Sequence, residues 1–298
     1  MECPFGHSLS TGQASHRMSR LGIRRYGHHT GFTRTNPFAQ CPRMREIDRR
    51  RYHLVAASKS HQRRVDDAKR ILSDGAKIGK IVISMSWGKD SCALGDLACR
   101  VLGRVDMMHL ASPYSLPGYD EVVSYFEKRS TVHIVGNHRS ITDYIDWCKD
   151  IGLPHERTKT TQQRIVKEIK RDRGSEWCRE HDYSVATMGL RAAEGGPRAK
   201  MLRAKGPLFQ LVDGSWRCYP LANWHHDDVW AYLMFNEVPY NRKIYDAETH
   251  GMTRDTIRNA GWLSTDGAHR GRVIWLRAHF PEQYRRLVAE FPQIATIS

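Results

Sequence analysis

The sequence predicts an α/β protein with a doubly wound, mostly parallel sheet that is covered by helices on both faces. One pattern favours this class, and the length and composition of the chain are compatible with it. Short apolar strands alternate with amphipathic helices from residue 80 onward. The chain has 298 residues, of which 40% are hydrophobic, so it can bury the core of one large domain or two modest ones. Ligands in such sheets bind beyond the carboxyl ends of the strands, so chemistry is expected just after residues 85, 110 and 188.

The first predicted element is a helix over residues 44–74, which has Leu54, Val65, Ala68 and Ile71 on its inward face and ends at Asp74-Gly75. Apolar runs then predict strands at 80–85, 105–110, 131–135 and 183–188. Helices are expected at 90–102, 119–129, 141–149 and 161–172.

Later elements follow from turn and periodicity signals. Residues 208–211 and 215–219 flank Asp213-Gly214, a strong signal for a hairpin. A helix is expected from about His226 to Phe235. Further helices at 253–259, 270–279 and 282–290 form a predicted C-terminal cap, which gives three regions: a basic extension over 1–43, an α/β domain over 44–250 and the cap over 251–298.

The formal net charge of +15 favours an anionic partner. Residues 1–43 hold six Arg and a single acidic residue, Glu2, without helical or strand periodicity, so we expect this extension to be disordered. Three interpretations stay open for it: a plain extension upstream of a natural start at Met44, a nucleic-acid-binding arm, or a transit-like leader. The basic C-terminal cap is either a solvated surface or a contact for a polyanionic acceptor such as RNA or DNA.

Composition argues against two classes of protein. No run of about 18 apolar residues is present, which disfavours a membrane protein, and the start lacks a secretory pattern. The seven cysteines contain no C-x-x-C pair and no spacing typical of a zinc or iron–sulfur framework. We therefore expect reduced thiols and a cytoplasmic protein.

The stretch SWGKDS, residues 86–91, follows the first strand and precedes a helix that begins near Asp90. A strand, a tight turn and a helix in this order place backbone N–H groups and the positive end of a helix dipole at one point, where phosphate is favoured. Lys89 adds a charge, and Ser86 and Ser91 add hydroxyl groups. The alternative is an ordinary connection in which Ser86 or Asp90 caps the helix.

A second cluster follows the strand that ends at Met188. Gly189 lets the backbone turn, while Arg191 and Arg198 can present planar guanidinium groups to phosphate or sulfate oxygens, and Glu194 can fix one of them. The alternative is a solvated, basic helix start. The run His225-His226-Asp227-Asp228 is attributed to capping and surface charge rather than to a metal, because adjacent helical residues point in different directions.

Four segments together resemble the PAPS reductase-like and N-type ATP pyrophosphatase family, also called adenine nucleotide α-hydrolases, which have a HUP-like fold. SWGKDS resembles the family's S-G-G-x-D-S loop, the PP-loop, and 189–198 resembles G-[IL]-R-x-x-E-S-x-x-R. Residues 116–119, LPGY, match half of a third motif. The stretch from Pro220 through Trp224, Val229 and Trp230 to Asp246 resembles a fourth, with Trp224, Val229, Trp230 and Leu233 expected in the core.

The resemblance implies an adenine nucleotide, ATP or PAPS, that lies across the sheet. Its phosphate or sulfate end is expected on Ser86, Trp87, Gly88, Lys89, Asp90 and Ser91, with Gly189, Arg191, Glu194 and Arg198 beside the anion. Lys89, Asp90 and Arg191 are the candidate catalytic residues. If ATP is the nucleotide, Asp90 is expected near a Mg²⁺ ion, unless it serves as a helix cap.

The sequence departs from the reductases where their redox chemistry resides. The family's C-terminal E-C-G-x-H has no counterpart, and no cysteine follows Cys218. Residues Thr160 and Thr161 stand roughly where a first cluster cysteine is expected, so an iron–sulfur cluster is not expected. The leading hypothesis is an enzyme that attacks the ATP α-phosphate and adenylates an acceptor, coupled to sulfur transfer from a donor protein or to thiolation of a nucleic acid. The alternatives are a PAPS reductase that uses an external thiol and a non-catalytic nucleotide- or nucleic-acid-binding module.

Trp87 occupies a position at which the family has glycine. If this position requires a positive φ, tryptophan should strain the loop or block the nucleotide. If it does not, the indole is expected to project outward as a lid or to stack on a base.

Overall fold

The computed structural model describes residues 46–111, 117–136, 173–247 and 273–296, together with seven isolated residues between them (149, 158, 160, 250, 253, 254 and 257). The predicted extension over 1–43 lies outside the described residues. Most residues of the predicted helices at 141–149, 161–172 and 253–259 lie there as well.

A six-stranded sheet forms the centre of the fold, in the order β3-β2-β1-β4-β6-β5. The strands are β1 (Ile81–Ser84), β2 (Asp106–Leu110), β3 (Thr131–Val135), β4 (Val185–Thr187), β5 (Leu208–Gln210) and β6 (Trp216–Cys218). All neighbours are parallel except β5 and β6, which form the predicted antiparallel hairpin with Gly214 at φ +83°. The predicted α/β class and the positions of these strands are confirmed.

The described helices are α1 (Glu46–Ala56), α2 (Lys59–Ile78), α3 (Lys89–Leu102), α4 (Asp120–Glu127), α5 (Arg173–Glu180), α6 (Gly196–Lys205), α7 (His226–Phe235), α8 (Arg242–Tyr245), α9 (Val273–His279) and α10 (Pro281–Glu290). Two 3-10 turns accompany them, at Ala192–Glu194 and Pro292–Thr296. None of these helices is both long and apolar enough to cross a membrane.

The side chains of alternate strand residues pack on opposite faces of the sheet. Ile83 and Met107 belong to the large cluster that includes α3, α7 and α9, whereas Val82 and Met108 pack with Cys178 of α5 on the other face. This two-residue period is the expected signature of a sheet that is covered on both sides. The predicted core residues Trp224, Val229, Trp230 and Leu233 are all buried in the large cluster.

The N-terminal helix is divided, and one prediction about its inward face is wrong. Ser58 caps α2 by accepting a hydrogen bond from the His61 amide at 3.2 Å, so a new helix begins where a single one was expected. Tyr52 and Ala56, four residues apart, form the inward face of α1. Leu54 lies between them on the opposite side and is 75% exposed.

The predicted end of this helix at Asp74-Gly75 is also wrong, because α2 continues to Ile78. Gly75 is buried, and a Cβ atom there would lie 3.2 Å from the Cys218 sulfur. The glycine therefore allows α2 to approach β6 closely, and it does not end the helix.

Candidate nucleotide site

The chain turns back at the centre of the sheet, and this turn defines the crevice in which the predicted residues meet. It proceeds from β1 outward to β2 and β3, then returns to place β4 on the other side of β1. In doubly wound sheets such a reversal opens a crevice at the carboxyl ends of the two central strands. Residues 86–91 follow β1 and residues 189–198 follow β4, so both predicted clusters lie at this point.

The loop after β1 is closed by its own hydroxyl groups. The Ser86 amide donates to Ser91 Oγ at 3.2 Å, and Ser91 Oγ donates to the Gly88 carbonyl at 3.0 Å. The Gly88 amide donates to Ser86 Oγ at 3.4 Å. Gly88 is the N-cap of α3, and no side chain caps the helix there. The serines therefore fix the loop, and neither Ser86 nor Asp90 caps the helix as the alternative supposed.

Lys89, Asp90 and Arg191 form one charged cluster at the start of α3. The Lys89 ammonium lies 2.9 Å from Asp90 Oδ2, and Arg191 Nε lies 2.6 Å from Asp90 Oδ1. The side chains of both cations are almost completely buried, whereas that of Asp90 is 18% exposed. Two cations against one carboxylate leave a net positive charge, which adds to the positive end of the α3 dipole.

The electrostatics of this cluster follow from burial and pairing. Burial lowers the pKa of Lys89, although the Asp90 carboxylate opposes this effect. Burial alone would raise the pKa of Asp90, but Lys89 and Arg191 outweigh it and lower that pKa. The carboxylate is therefore held ionised, and it fixes both cations.

Gly189 permits the close approach of the segment after β4 to the start of α3. A Cβ atom at Gly189 would lie 3.0 Å from the Asp90 carbonyl oxygen and 3.4 Å from the Ser91 nitrogen. Backbone atoms of a capped helix cannot move aside as a flexible side chain can. A side chain at residue 189 would therefore push Arg191 away from Asp90.

Glu194 and Arg198 form a second pair next to the first. Glu194 Oε2 accepts a hydrogen bond from the Arg191 amide at 3.2 Å and pairs with Arg198 across one turn. Of the two predicted arginines, Arg191 is buried against Asp90, while the Arg198 side chain is 37% exposed. The pair holds the 3-10 turn that carries Arg191.

Trp87 has a positive φ of +58°, so this position does adopt the left-handed conformation that favours glycine. Outward projection of the indole was the alternative for a residue without a positive φ, and it does not occur. The side chain is 4% exposed and packs 5.3 Å from the His109 ring and 6.1 Å from the Phe126 ring, measured between ring centroids. The indole is therefore packed in the core, where it anchors the loop.

Two further residues contribute to the site although sequence patterns did not single them out for it. The Tyr245 hydroxyl accepts a hydrogen bond from the Lys89 amide at 3.3 Å and so binds one of the free N–H groups of α3. Burial, together with the positive charges of Lys89 and Arg191, lowers the pKa of His226 to about 3. His226 is therefore neutral at the edge of the cluster. Its place at the start of α7 gave no signal that could have linked it to Lys89 or Arg191.

The other resembling segments also meet. Asn241 Nδ2 donates to the Pro117 carbonyl at 3.1 Å, which joins the LPGY segment to the loop before α8. Residues 112–116, including Leu116, lie outside the described residues. Asp228, attributed to capping and surface charge, does cap α7 by accepting a hydrogen bond from the His225 amide. It is buried and not at the surface, however, because α2 supplies His61 and Arg64 as further hydrogen-bond donors, which the local sequence could not reveal.

The described residues of the site do not fit a dedicated magnesium site. Both Asp90 oxygens are held by cations, and Glu194 is paired with Arg198. No group of three or more His, Cys, Asp or Glu residues with metal-binding geometry occurs in the described part of the chain. A Mg²⁺ ion prefers carboxylate oxygens that are free to coordinate it.

Residues 80–287 match the family model of the phosphoadenosine phosphosulfate reductase domain, which covers more than half of the chain. The chain belongs to this family. The resemblance drawn from four short segments is thus confirmed, and the match extends past the last of them into α10. Among curated proteins, none matched the chain.

Solved structures similar to this member of the phosphoadenosine phosphosulfate reductase domain family include two from yeasts. The phosphoadenylyl-sulfate (PAPS) reductase from Candida auris, in a phosphate complex, is 16% identical and has a TM-score of 0.44, covering 67% of this chain and 90% of its own. The FMN adenylyltransferase of Candida glabrata, in complex with FMN and the ATP analog AMPCPP, is 13% identical with a TM-score of 0.43, covering 72% and 73%.

Proposed function

We propose that the protein binds the phosphate end of ATP at the start of α3 and catalyses attack on the α-phosphate, with adenylation of an acceptor that then receives sulfur. The observation that carries this proposal is the cluster of Lys89, Asp90 and Arg191 at the crevice of the sheet. It is supported by the membership of the chain in a nucleotide-using family.

In the proposed reaction an acceptor oxygen attacks the α-phosphorus. The bond from that phosphorus to the bridging oxygen breaks, and pyrophosphate leaves with the electron pair. Lys89, Arg191 and the N-terminus of α3 stabilise the negative charge that grows on the phosphate oxygens. Asp90 positions the side chains of Lys89 and Arg191, and the Mg²⁺ ion is brought to the site by the phosphates of ATP. A sulfur donor then displaces AMP from the adenylated acceptor, for which a nucleic acid is the proposed class.

The state of the thiols supports this reaction over the redox chemistry of the reductases. Cys92 and Cys218 are fully buried, and burial raises the pKa of Cys218 to about 12 and that of Cys99 to about 11. The thiolate is the nucleophilic form of cysteine, so burial keeps these groups unreactive at neutral pH. The described part of the chain therefore offers no activated thiol near the crevice.

The test is release of pyrophosphate from ATP and Mg²⁺ by the purified full chain, with water as the attacking group when no acceptor is supplied. Replacing Lys89 with methionine keeps the buried volume but removes the charge, and we expect pyrophosphate release to fall by about 100-fold or more. The matched control is Lys69→Met, because Lys69 forms an exposed pair with Asp66 on α2 and should leave the rate unchanged. Release at the wild-type rate by the Lys89 variant would contradict the proposal.

The family match favours one second candidate, a PAPS reductase that uses an external thiol. In that reaction a thiolate attacks the sulfur of PAPS and releases adenosine 3′,5′-bisphosphate, and a second thiol frees sulfite as a disulfide forms. Sulfite release from PAPS and dithiothreitol, together with thermal stabilisation by adenosine 3′,5′-bisphosphate and no pyrophosphate from ATP, would favour this candidate. Stabilisation by a nucleotide without either product would indicate a binding module.

A further inference from the structure

A groove of about 820 Å³ lies outside the predicted nucleotide loop. Its walls come from α1, from α4 and the residues just after it, and from the end of α7 with the loop that follows. None of residues 86–91 lines it. The volume is within the range of small-molecule sites in proteins, about 300 to 1,000 Å³.

The groove has an excess of positive charge. Its lining includes four Arg or Lys side chains, Arg49, Lys128, Arg129 and Arg242, but only the carboxylates of Glu121 and Glu237. Lys128, Arg129 and Arg242 are exposed at the rim, and they come from two separate segments of the chain. Such an arrangement attracts a ligand with more than one negative group.

Two of the arginines have features that suit the recognition of an anion, although Arg129 also donates to the Tyr125 carbonyl at 3.2 Å. Arg49 is half-buried, and its Nε has no hydrogen-bond partner among the described residues. A buried donor without a partner costs free energy that a bound acceptor would recover. The Arg129 guanidinium lies 3.9 Å above the centroid of the Tyr125 ring, which holds it at the rim.

The floor of the groove is apolar. Leu233, Val238 and Tyr240 are buried there, and Met234 and Pro239 are half-buried. An apolar floor beneath a basic rim fits a ligand that has a flat or apolar body and attached anionic groups. A simple inorganic anion would use the rim but not the floor.

We propose that this groove is a second ligand site that binds nucleotide units, with a base against the apolar floor and phosphates on Arg49, Lys128, Arg129 and Arg242. The same chemistry is present in a free mononucleotide and in single-stranded nucleic acid. The site does not depend on the reaction proposed at the start of α3. A nucleic acid bound in the groove would also belong to the class of acceptor proposed for that reaction.

The experiment compares a fluorescein-labelled, single-stranded oligonucleotide of about 12 nucleotides with AMP as ligands of the full chain. In the triple variant Lys128→Gln/Arg129→Gln/Arg242→Gln we expect oligonucleotide affinity to fall by about tenfold or more. The slope of the logarithm of the association constant against the logarithm of the salt concentration should become less negative by about 2, since three phosphate contacts are lost. AMP binding is measured in the Lys89→Met background, so that the loop site does not contribute.

The matched control removes the same charge elsewhere, as Lys69→Gln/Arg70→Gln/Lys77→Gln on α2, where these side chains form exposed pairs with aspartates. Loss of oligonucleotide binding in the groove variant but not in the control variant supports the proposal. If the Lys89→Met protein with an intact groove does not bind AMP, the ligand of the groove is nucleic acid. If that protein binds AMP and the groove substitutions abolish this binding as well, the ligand of the groove is a free nucleotide. Equal losses in both triple variants, or no loss in the groove variant, would overturn the proposal.

The same variants separate this proposal from the proposed function. Pyrophosphate release from ATP in the absence of an acceptor should persist in the groove variant, since its substitutions lie outside the loop. If pyrophosphate release is absent from the wild type while the groove still binds its ligand, only the proposed function fails. If release is present and the groove variant binds normally, only the groove proposal fails.

Discussion

Trp87 combines an unfavourable backbone conformation with a favourable side-chain position. A left-handed φ costs a non-glycine residue about 1 kcal/mol, and a buried tryptophan contributes about 3 to 5 kcal/mol through packing. At this residue the indole contacts His109 and Phe126 in the core. Because the packing of the indole outweighs the cost of the backbone conformation, the residue stabilises the loop.

Replacing Trp87 with glycine should therefore lower the free energy of unfolding by about 2 to 4 kcal/mol, because the gain in backbone freedom is smaller than the loss of packing. Urea denaturation measures this change. Trp87→Phe is the control, since it keeps an aromatic ring and the same backbone requirement, and it should cost less. ATP binding by the glycine variant should also weaken, as the loop loses its anchor. A glycine variant as stable as the wild type would contradict the packing argument.

Gly189 is required for a different reason, namely the space between β4 and α3. In Gly189→Ala, the new Cβ would lie 3.0 Å from the Asp90 carbonyl oxygen, and the segment that carries Arg191 would have to shift. We expect a stability loss of about 1 to 3 kcal/mol and weaker thermal stabilisation by ATP. Gly196→Ala is the control, because nothing lies within 4 Å of a Cβ at that residue. Equal behaviour of the two variants would show that the close approach is unimportant.

At the scale of elements, the start of α3 is the point at which several parts of the fold meet. The amide of Lys89, the first residue of α3, donates a hydrogen bond to the Tyr245 hydroxyl of α8. Arg191, in the segment after β4, donates to the carboxylate of Asp90, the second residue of α3. Each contact crosses a large separation in sequence. The positive end of the helix is thereby held in a fixed environment before any ligand binds.

The ionised state of Asp90 should make the stability of this element depend on acid. Because its folded-state pKa is lowered, the stabilisation by this carboxylate is complete above the ordinary value of 3.8 and is lost as pH falls through the folded-state pKa. Asp90→Asn should be about 3 kcal/mol less stable than the wild type at neutral pH, since two buried cations lose their partner. The difference between the two proteins should shrink in acid, as measured by urea denaturation at several pH values.

Asp213→Asn is the control for this experiment. Asp213 also has a lowered pKa, through hydrogen bonds from Ser215, but it lies in the exposed hairpin turn. Its substitution should leave the stability at neutral pH close to that of the wild type. A constant difference between wild type and Asp90→Asn across the acid range would mean that Asp90 does not titrate as proposed.

The whole molecule shows which features the sequence could predict. The strands and the hairpin followed from local period and from turn residues such as Gly214, and the structure confirms them. The direction of Trp87, the packing of Gly75 on Cys218 and the burial of Asp228 could not be predicted locally, because each depends on a partner from a distant segment. The candidate site followed from residue types at the ends of two strands, while the roles of Tyr245 and His226 needed the fold.

The contacts of Arg254 with two distant segments add to the same integration. Arg254 donates to the Tyr245 carbonyl and to Asp48 of α1, each at 3.1 Å. It thus connects the N-terminal helix to the segment that caps α3. Arg254 lies in the predicted basic cap over 251–298, and its fixed position shows that at least one basic residue of that region has a structural role.

The thiols report on the integrity of the whole molecule. Cys92 lies one turn into α3 behind the charged cluster, and both Cys92 and Cys218 are fully buried, with pKa values raised by burial. In the native protein at neutral pH, iodoacetamide should therefore leave these two cysteines unmodified, whereas denaturation should expose them, as followed by mass spectrometry of peptides. Glutathione labelled under the same conditions is the control for reagent activity. ATP should slow the residual labelling of Cys92 further, because a ligand bound to the native state suppresses opening. Fast labelling of Cys92 in the native protein would show that α3 opens readily, and the start of this helix would then be too mobile to serve as a preformed phosphate site.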